Sequence, residues 1–222
     1  MSPLLALELP AWFVPTGALV VAYLLGSIPF GFLFGKLKGV DIREHGSKNI
    51  GATNAGRVLG RGWGLAAFLL DFAKGFVPSA FLFGTIAGSP EPSSLYAVLG
   101  GAASVLGHVF PIYLGFKGGK AVATGCGALV GLDWRIFIAG GCAWLVTLVL
   151  SRFVSLASIV MAIAFPIAAY WFSRSSDYGS EVVVGAALLT GLILIRHRTN
   201  ITRLLNGTEN RFGGNKKKES TA

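Results

Sequence analysis

Apolar residues in this chain come in long uncharged blocks separated by short polar, basic segments, without the alternation of a soluble helix or strand. Residues 11–35, 92–116 and 153–173 contain no Asp, Glu, Lys or Arg. A run of about 20 such residues crosses about 30 Å of hydrocarbon as a helix. Counting each apolar block once gives 13–35, 63–84, 95–116, 121–132, 136–150, 153–172 and 182–195. The pattern predicts an all-α integral membrane protein of about seven transmembrane helices. Because 121–132 is short for a crossing, five spans with a re-entrant pair is the alternative count. Pro29 predicts a kink or break in the first span, since it removes a backbone donor. A polar turn is expected at 88–94.

Charge placement orients these spans. With the N-terminus outside, 16 of the 19 Lys and Arg fall in inside loops; Arg135 and Arg174 lie outside and Lys74 lies within a span. The positive-inside bias therefore predicts an N-out, C-in topology. Composition agrees: 13% of residues are charged, against about a quarter in a soluble domain, and mean hydropathy is +0.66. The net charge of +9 lies beside spans, where it sets topology and attracts anionic groups, so no nucleic-acid partner is expected. Glu8 and prolines stand where a signal peptide has its basic region, so a cleaved leader is not expected. Residues 1–212 read as a single domain, and 213–222 as a basic, disordered tail. That tail offers charge to anionic lipid. Cys126 and Cys142 lie in apolar blocks without metal-ligand spacing and read as packing residues.

Four polar segments would meet at the inside face, which suits an enzyme acting on a headgroup better than a midplane transporter site. In 41–57, glycines flank Ser47 and Arg57; amides of Gly46-Ser47 and Gly51-Ala52-Thr53-Asn54 are expected to form an anion nest, with Arg57 adding a bidentate donor. A basic turn that only enforces topology is the alternative. Around 107–120, His108 precedes Lys117-Gly118-Gly119-Lys120, whose cations flank a flexible hinge. Lys120 is expected to begin a helix, adding its dipole to any anion held there. Ser155 and Ser158 share a helix face at 151–158. His197 and Asn200 share one if 197–204 is helical, and a neutral His197 could accept a hydroxyl proton or hold phosphate. Asp71 and Lys74, one turn apart within a span, are either a functional site or a self-neutralising pair.

Taken together, these segments resemble the bacterial acyl-phosphate:glycerol-3-phosphate acyltransferase family (PlsY). The matches are Ser27-Ile-Pro-Phe-Gly31, the 41–57 segment, Gly107-His-x-Phe-Pro111 with Phe116-Lys-Gly-Gly-Lys120, Ser155-Leu-Ala-Ser158, and His197-Arg-x-Asn-Ile-x-Arg-Leu204 with Gly207-x-Glu209. The resemblance implies acyl transfer from acyl phosphate to the sn-1 hydroxyl of glycerol 3-phosphate, releasing 1-acylglycerol 3-phosphate and phosphate in phospholipid biosynthesis. It implies Lys120, His197 and Asn200 as catalytic residues and Ser47, Arg57 and Ser158 as substrate-binding residues. Neither metal nor cofactor is implied, because the mixed anhydride is already activated. The implied partners are the two substrates, the bilayer, and a soluble enzyme making acyl phosphate. Whether His197 is a general base or only positions substrate stays open. The HxxxxD acyltransferase motif is absent. Lys48 and Ala121 replace glycines usual in the family; Ala121 is expected just inside a helix, where alanine is a good former.

Overall fold

The computed structural model describes residues 13–82, 94–176 and 178–213, and among these the regular secondary structure is entirely helical. Its helices are α1 (Phe13–Ser27), α2 (Phe30–Leu37), α3 (Ala52–Leu59), α4 (Arg61–Val77), α5 (Ser94–Val109), α6 (Val122–Leu132), α7 (Trp134–Ser151), α8 (Val154–Ser173), α9 (Ser180–Arg196) and α10 (Arg198–Leu205). A π-helical turn, Pro78–Leu82, extends α4. The expected polar turn falls largely at 88–93, outside the described residues, as does the tail beyond residue 213.

Length and apolarity let three segments cross a membrane alone: Ser94–Leu114, Trp134–Ser151 and Val154–Ser173. Two more qualify if each bent pair is one span, α1 with α2 (41°) and α9 with α10 (59°). The remaining apolar blocks form α4, which carries charges, and α6, whose 11 residues extend only about 16 Å. Among the described residues, three to five spans thus follow from helix length and composition. Each of the seven blocks read from the sequence still contains a helix.

The break between α1 and α2 falls at Ile28-Pro29, as the proline predicts. Its exposed carbonyl has a specific partner: Lys74 Nζ donates to Ile28 O at 2.7 Å. The same ammonium lies 2.8 Å from Asp71 Oδ1 and 5.6 Å from the centre of the Phe30 ring. Both charges are buried. The intramembrane pair is therefore formed, and it ties α4 to the broken helix.

Helices approach closely where glycines remove side chains. A Cβ on Gly75 would collide with the Thr124 carbonyl, and one on Gly127 with the Phe72 carbonyl, so α4 and α6 cross almost backbone to backbone. Small residues at such crossings provide van der Waals contact where lipid supplies no hydrophobic drive. The main core joins α5 to α9 around Phe165, Met161, Val105, Leu129, Ile136 and Ile193. A smaller cluster of Ile42, Ala55 and Ala67 fastens the 41–51 loop to α3 and α4. Met161 and Cys126 of the main core, and Ala52 packed against the smaller cluster, line one cavity.

Candidate active site

The 41–51 loop is held from within by one side chain. Buried Asn54, in the first turn of α3, donates to the carbonyls of Ile42 (2.8 Å) and Asn49 (2.8 Å). Its Oδ1 accepts from the Ser47 amide at 2.7 Å. The Gly51 amide donates to Asn49 Oδ1 at 2.9 Å. Within the expected nest the Ser47, Gly51 and Asn54 amides therefore already have acceptors in the protein, so the full set is not offered to an anion. A loop partly buried in protein satisfies its own amides first, and it offers side chains to a ligand instead. Lys48 adopts φ 58°, the left-handed region where glycine is preferred.

A second loop presents Lys120. The Gly118 and Gly119 amides donate to the carbonyls of Val109 (3.1 Å) and His108 (3.0 Å). A Cβ on Gly118 would strike the His108 carbonyl and one on Gly119 the His108 ring, so the diglycine is needed for close approach. Arg196, the last residue of α9, closes the loop from the other side. Its Nη2 donates to Gly118 O at 2.8 Å and its Nε to Gly119 O at 3.0 Å. The helix after this loop begins at Val122, with Ala121 as its N-cap at φ 63°. Lys120 thus precedes the cap, and Ala121 is not inside the helix as expected. The residue occupies the left-handed turn that aims Lys120, which explains why glycine suits this position.

The third contribution comes from the α9–α10 bend. His197 Nδ1 lies 2.9 Å from Ile193 O; a carbonyl can only accept, so the proton is on Nδ1 and Nε2 is left as an acceptor. Burial, reinforced by the Lys120 charge, lowers the His197 pKa to about 4, and the ring is neutral at physiological pH. Asn200 is fixed in its flip state: Lys120 Nζ donates to its Oδ1, while its Nδ2 donates to Glu209 Oε1 at 2.8 Å. Glu209 also accepts from Ser155 Oγ (2.9 Å) and Arg203 Nε (2.7 Å). Burial raises the Glu209 pKa, but these donors outweigh it and leave the carboxyl below its usual range.

All six residues named from the sequence line a single cavity of about 360 Å³: Ser47, Arg57, Lys120, Ser158, His197 and Asn200. Ser158 Oγ donates to Val154 O at 2.9 Å, leaving its lone pairs available. Burial lowers the Lys120 pKa to about 8, against the upward pull of Glu209. Burial also lowers that of Arg57. The rest of the cavity is mainly apolar, lined by Phe68, Phe137, Trp144 and Met161 among others, with the buried Asp71 and His108 also in its wall. A cationic end next to an apolar end suits a phosphate ester that carries a hydrocarbon chain.

Comparison with known proteins identifies the family. A family model described as glycerol-3-phosphate acyltransferase matches residues 16–207. The chain belongs to the glycerol-3-phosphate acyltransferase family. It is 43% identical over 196 residues to the Aquifex aeolicus glycerol-3-phosphate acyltransferase, covering 87% of this chain and 96% of the relative. The Synechococcus sp. enzyme is 45% identical, with 88% and 94% covered. The fold matches crystal structures of PlsY (YgiH), an integral membrane glycerol 3-phosphate acyltransferase. The glycerol 3-phosphate form has a TM-score of 0.81 at 41% identity, covering 90% of this chain and 96% of that one. The lysophosphatidic acid form has a TM-score of 0.79 at the same identity.

Within this acyltransferase fold, three participants went unassigned in the sequence reading: Glu209 as hub, Asn54 as loop organiser and Arg196 as clamp. Glu209 had two signals, the Gly207-x-Glu209 match and its being the lone acid between Arg196 and Lys218. Cys126 lines the cavity, with its Sγ 3.9 Å from Met161 Sδ, which is a packing contact. Cys126→Ala should leave kcat near wild type and cost about 1 kcal/mol of stability or less as a small trimmed side chain, read by turnover and thermal unfolding. A large loss of kcat would instead place the thiol in the chemistry.

Proposed function

We propose that this acyltransferase uses acyl phosphate as donor and acylates the sn-1 hydroxyl of glycerol 3-phosphate, releasing 1-acylglycerol 3-phosphate and inorganic phosphate. The observation that carries this reading is the convergence of Arg57 and Lys120 from separate segments on the polar end of a cavity that continues between apolar walls. Two phosphate-bearing substrates need two cationic contacts, and an acyl chain needs the apolar half. Ser47 and Ser158 supply hydroxyls to the phosphate and glycerol oxygens.

In this mechanism the sn-1 oxygen attacks the acyl carbonyl carbon. The C–O bond to phosphate then breaks, and phosphate leaves with that electron pair. Lys120 and Asn200 orient the reacting groups and stabilise developing negative charge. His197, neutral with Nε2 as acceptor, aligns the attacking hydroxyl. With its pKa lowered to about 4, His197 is a weak base. Phosphate, with a second pKa of about 6, is the better final acceptor of the proton.

We place the protein in the bacterial inner membrane with seven crossings, N-terminus outside and the site at the cytoplasmic face. The distribution of Lys and Arg supports this orientation. A soluble enzyme that makes the reactive mixed anhydride is the expected source of donor. Comparing acyl phosphate with acyl thioesters on purified protein tests the donor. Turnover is expected with acyl phosphate alone, and equal or greater turnover with a thioester would refute the proposal. A cysteine introduced at Ser175 should label from outside the cell; labelling from the cytoplasm would refute the seven-span topology.

A further inference from the structure

The apolar half of the cavity has an empty notch in its wall. Phe137, Gly141 and Trp144 of α7 all line it, and their i, i+4, i+7 spacing places them on one helix face. Phe137 and Trp144 are large, while Gly141 between them has no side chain. A Cβ built on Gly141 meets no atom within 4 Å. Its neighbour Gly140 differs: a Cβ there would collide with the Phe165 ring, so Gly140 is required by helix packing. Gly141 is not required by packing.

The notch lies beyond the polar end. α7 and α8 are joined by a short turn at Arg152-Phe153, and Ser155 and Ser158 at the start of α8 face the polar groups. Moving along α8 from Ser158 to Met161, and along α7 from Trp144 to Phe137, leads away from them. The seven helical steps from Trp144 to Phe137 span about 10 Å. Phe137 then packs edge-on against Phe72, with ring centres 5.9 Å apart, and Phe72 stacks on Phe76 at 6.3 Å. The far wall of the channel is therefore a braced aromatic cluster, and the space open to a passing chain is the gap above Gly141.

We infer that Gly141 is a specificity-determining residue, the position at which the acyl chain passes α7 and which sets the longest chain the enzyme accepts. This rests on reading the apolar half of the cavity as the acyl-chain channel. A side chain at residue 141 would fill the notch from the wall without disturbing the core. Such a change spares short chains, which end before the notch, and excludes long ones, which must cross it.

The test uses the product, because 1-acylglycerol 3-phosphate is common to any acyl donor. Dissociation constants of 1-octanoyl- and 1-palmitoyl-glycerol 3-phosphate are measured by calorimetry on wild type, Gly141→Ala and Gly141→Leu in lipid nanodiscs. Gly141→Leu should weaken palmitoyl binding by about tenfold relative to octanoyl, with Gly141→Ala intermediate. An unchanged ratio, or an equal loss for both ligands, would overturn the inference. Equal unfolding temperatures of the three proteins exclude misfolding as the cause. Failure of the acyl-phosphate assay would refute the donor proposal and leave this ratio standing as a separate result.

Discussion

Lys120→Ala is expected to lower kcat by about a hundred- to a thousandfold, the cost of removing one preorganised charge-assisted donor from a site that develops negative charge. The side chain is aimed by three independent devices: the left-handed Ala121, the diglycine tucked against His108, and the Arg196 clamp. It also donates to Asn200, so its loss frees the amide that Glu209 otherwise orients. Arg57→Ala should act mainly on KM for glycerol 3-phosphate, through loss of a bidentate phosphate contact. Both effects are read from steady-state kinetics with both substrates varied.

The same lysine predicts a pH dependence. A lysine is charged below its pKa and neutral above it, and burial holds Lys120 at about 8. kcat/KM, which reports the free enzyme, should therefore fall as pH rises through about 8. Lys120→Arg should remove this alkaline limb, whatever its effect on absolute rate. A limb that persists unchanged in Lys120→Arg would assign it to another group.

Lys74→Met should be the most destabilising single change. It strands the buried Asp71 carboxylate and removes the donor to the Ile28 carbonyl at the helix break. Breaking a buried pair from one side costs about 3–5 kcal/mol, or roughly 10 °C in unfolding midpoint for a chain of this length. The double variant Asp71→Leu with Lys74→Met should recover part of the loss, because no charge is then left unpaired. Thermal unfolding in detergent measures both. A single variant as stable as wild type would show that the pair bears no load.

Much of this architecture was legible in the sequence. Each uncharged block became a helix, since apolar length is a local property. Pro29 announced its break, and the i, i+3 spacing of His197 and Asn200 matches their place at the start of α10. What escaped was non-local. Asn54 takes the Ser47 amide and Asn49 the Gly51 amide, because a loop buried on one side must satisfy its own backbone. Ala121 sits in a left-handed turn, which composition cannot reveal. Glu209 became a hub only when residues 155, 200 and 203 folded around it. The notch at Gly141 depends on what faces it from other helices, and nothing in α7 alone distinguishes it from Gly140.

One cavity is proposed to transfer an acyl group between two phosphate-bearing substrates. The most direct test is product stoichiometry with purified protein, palmitoyl phosphate and glycerol 3-phosphate. Inorganic phosphate and 1-palmitoylglycerol 3-phosphate are expected in equal amounts, both depending on Lys120. Phosphate release without the acylated product, or acylated product at the sn-2 position, would contradict it.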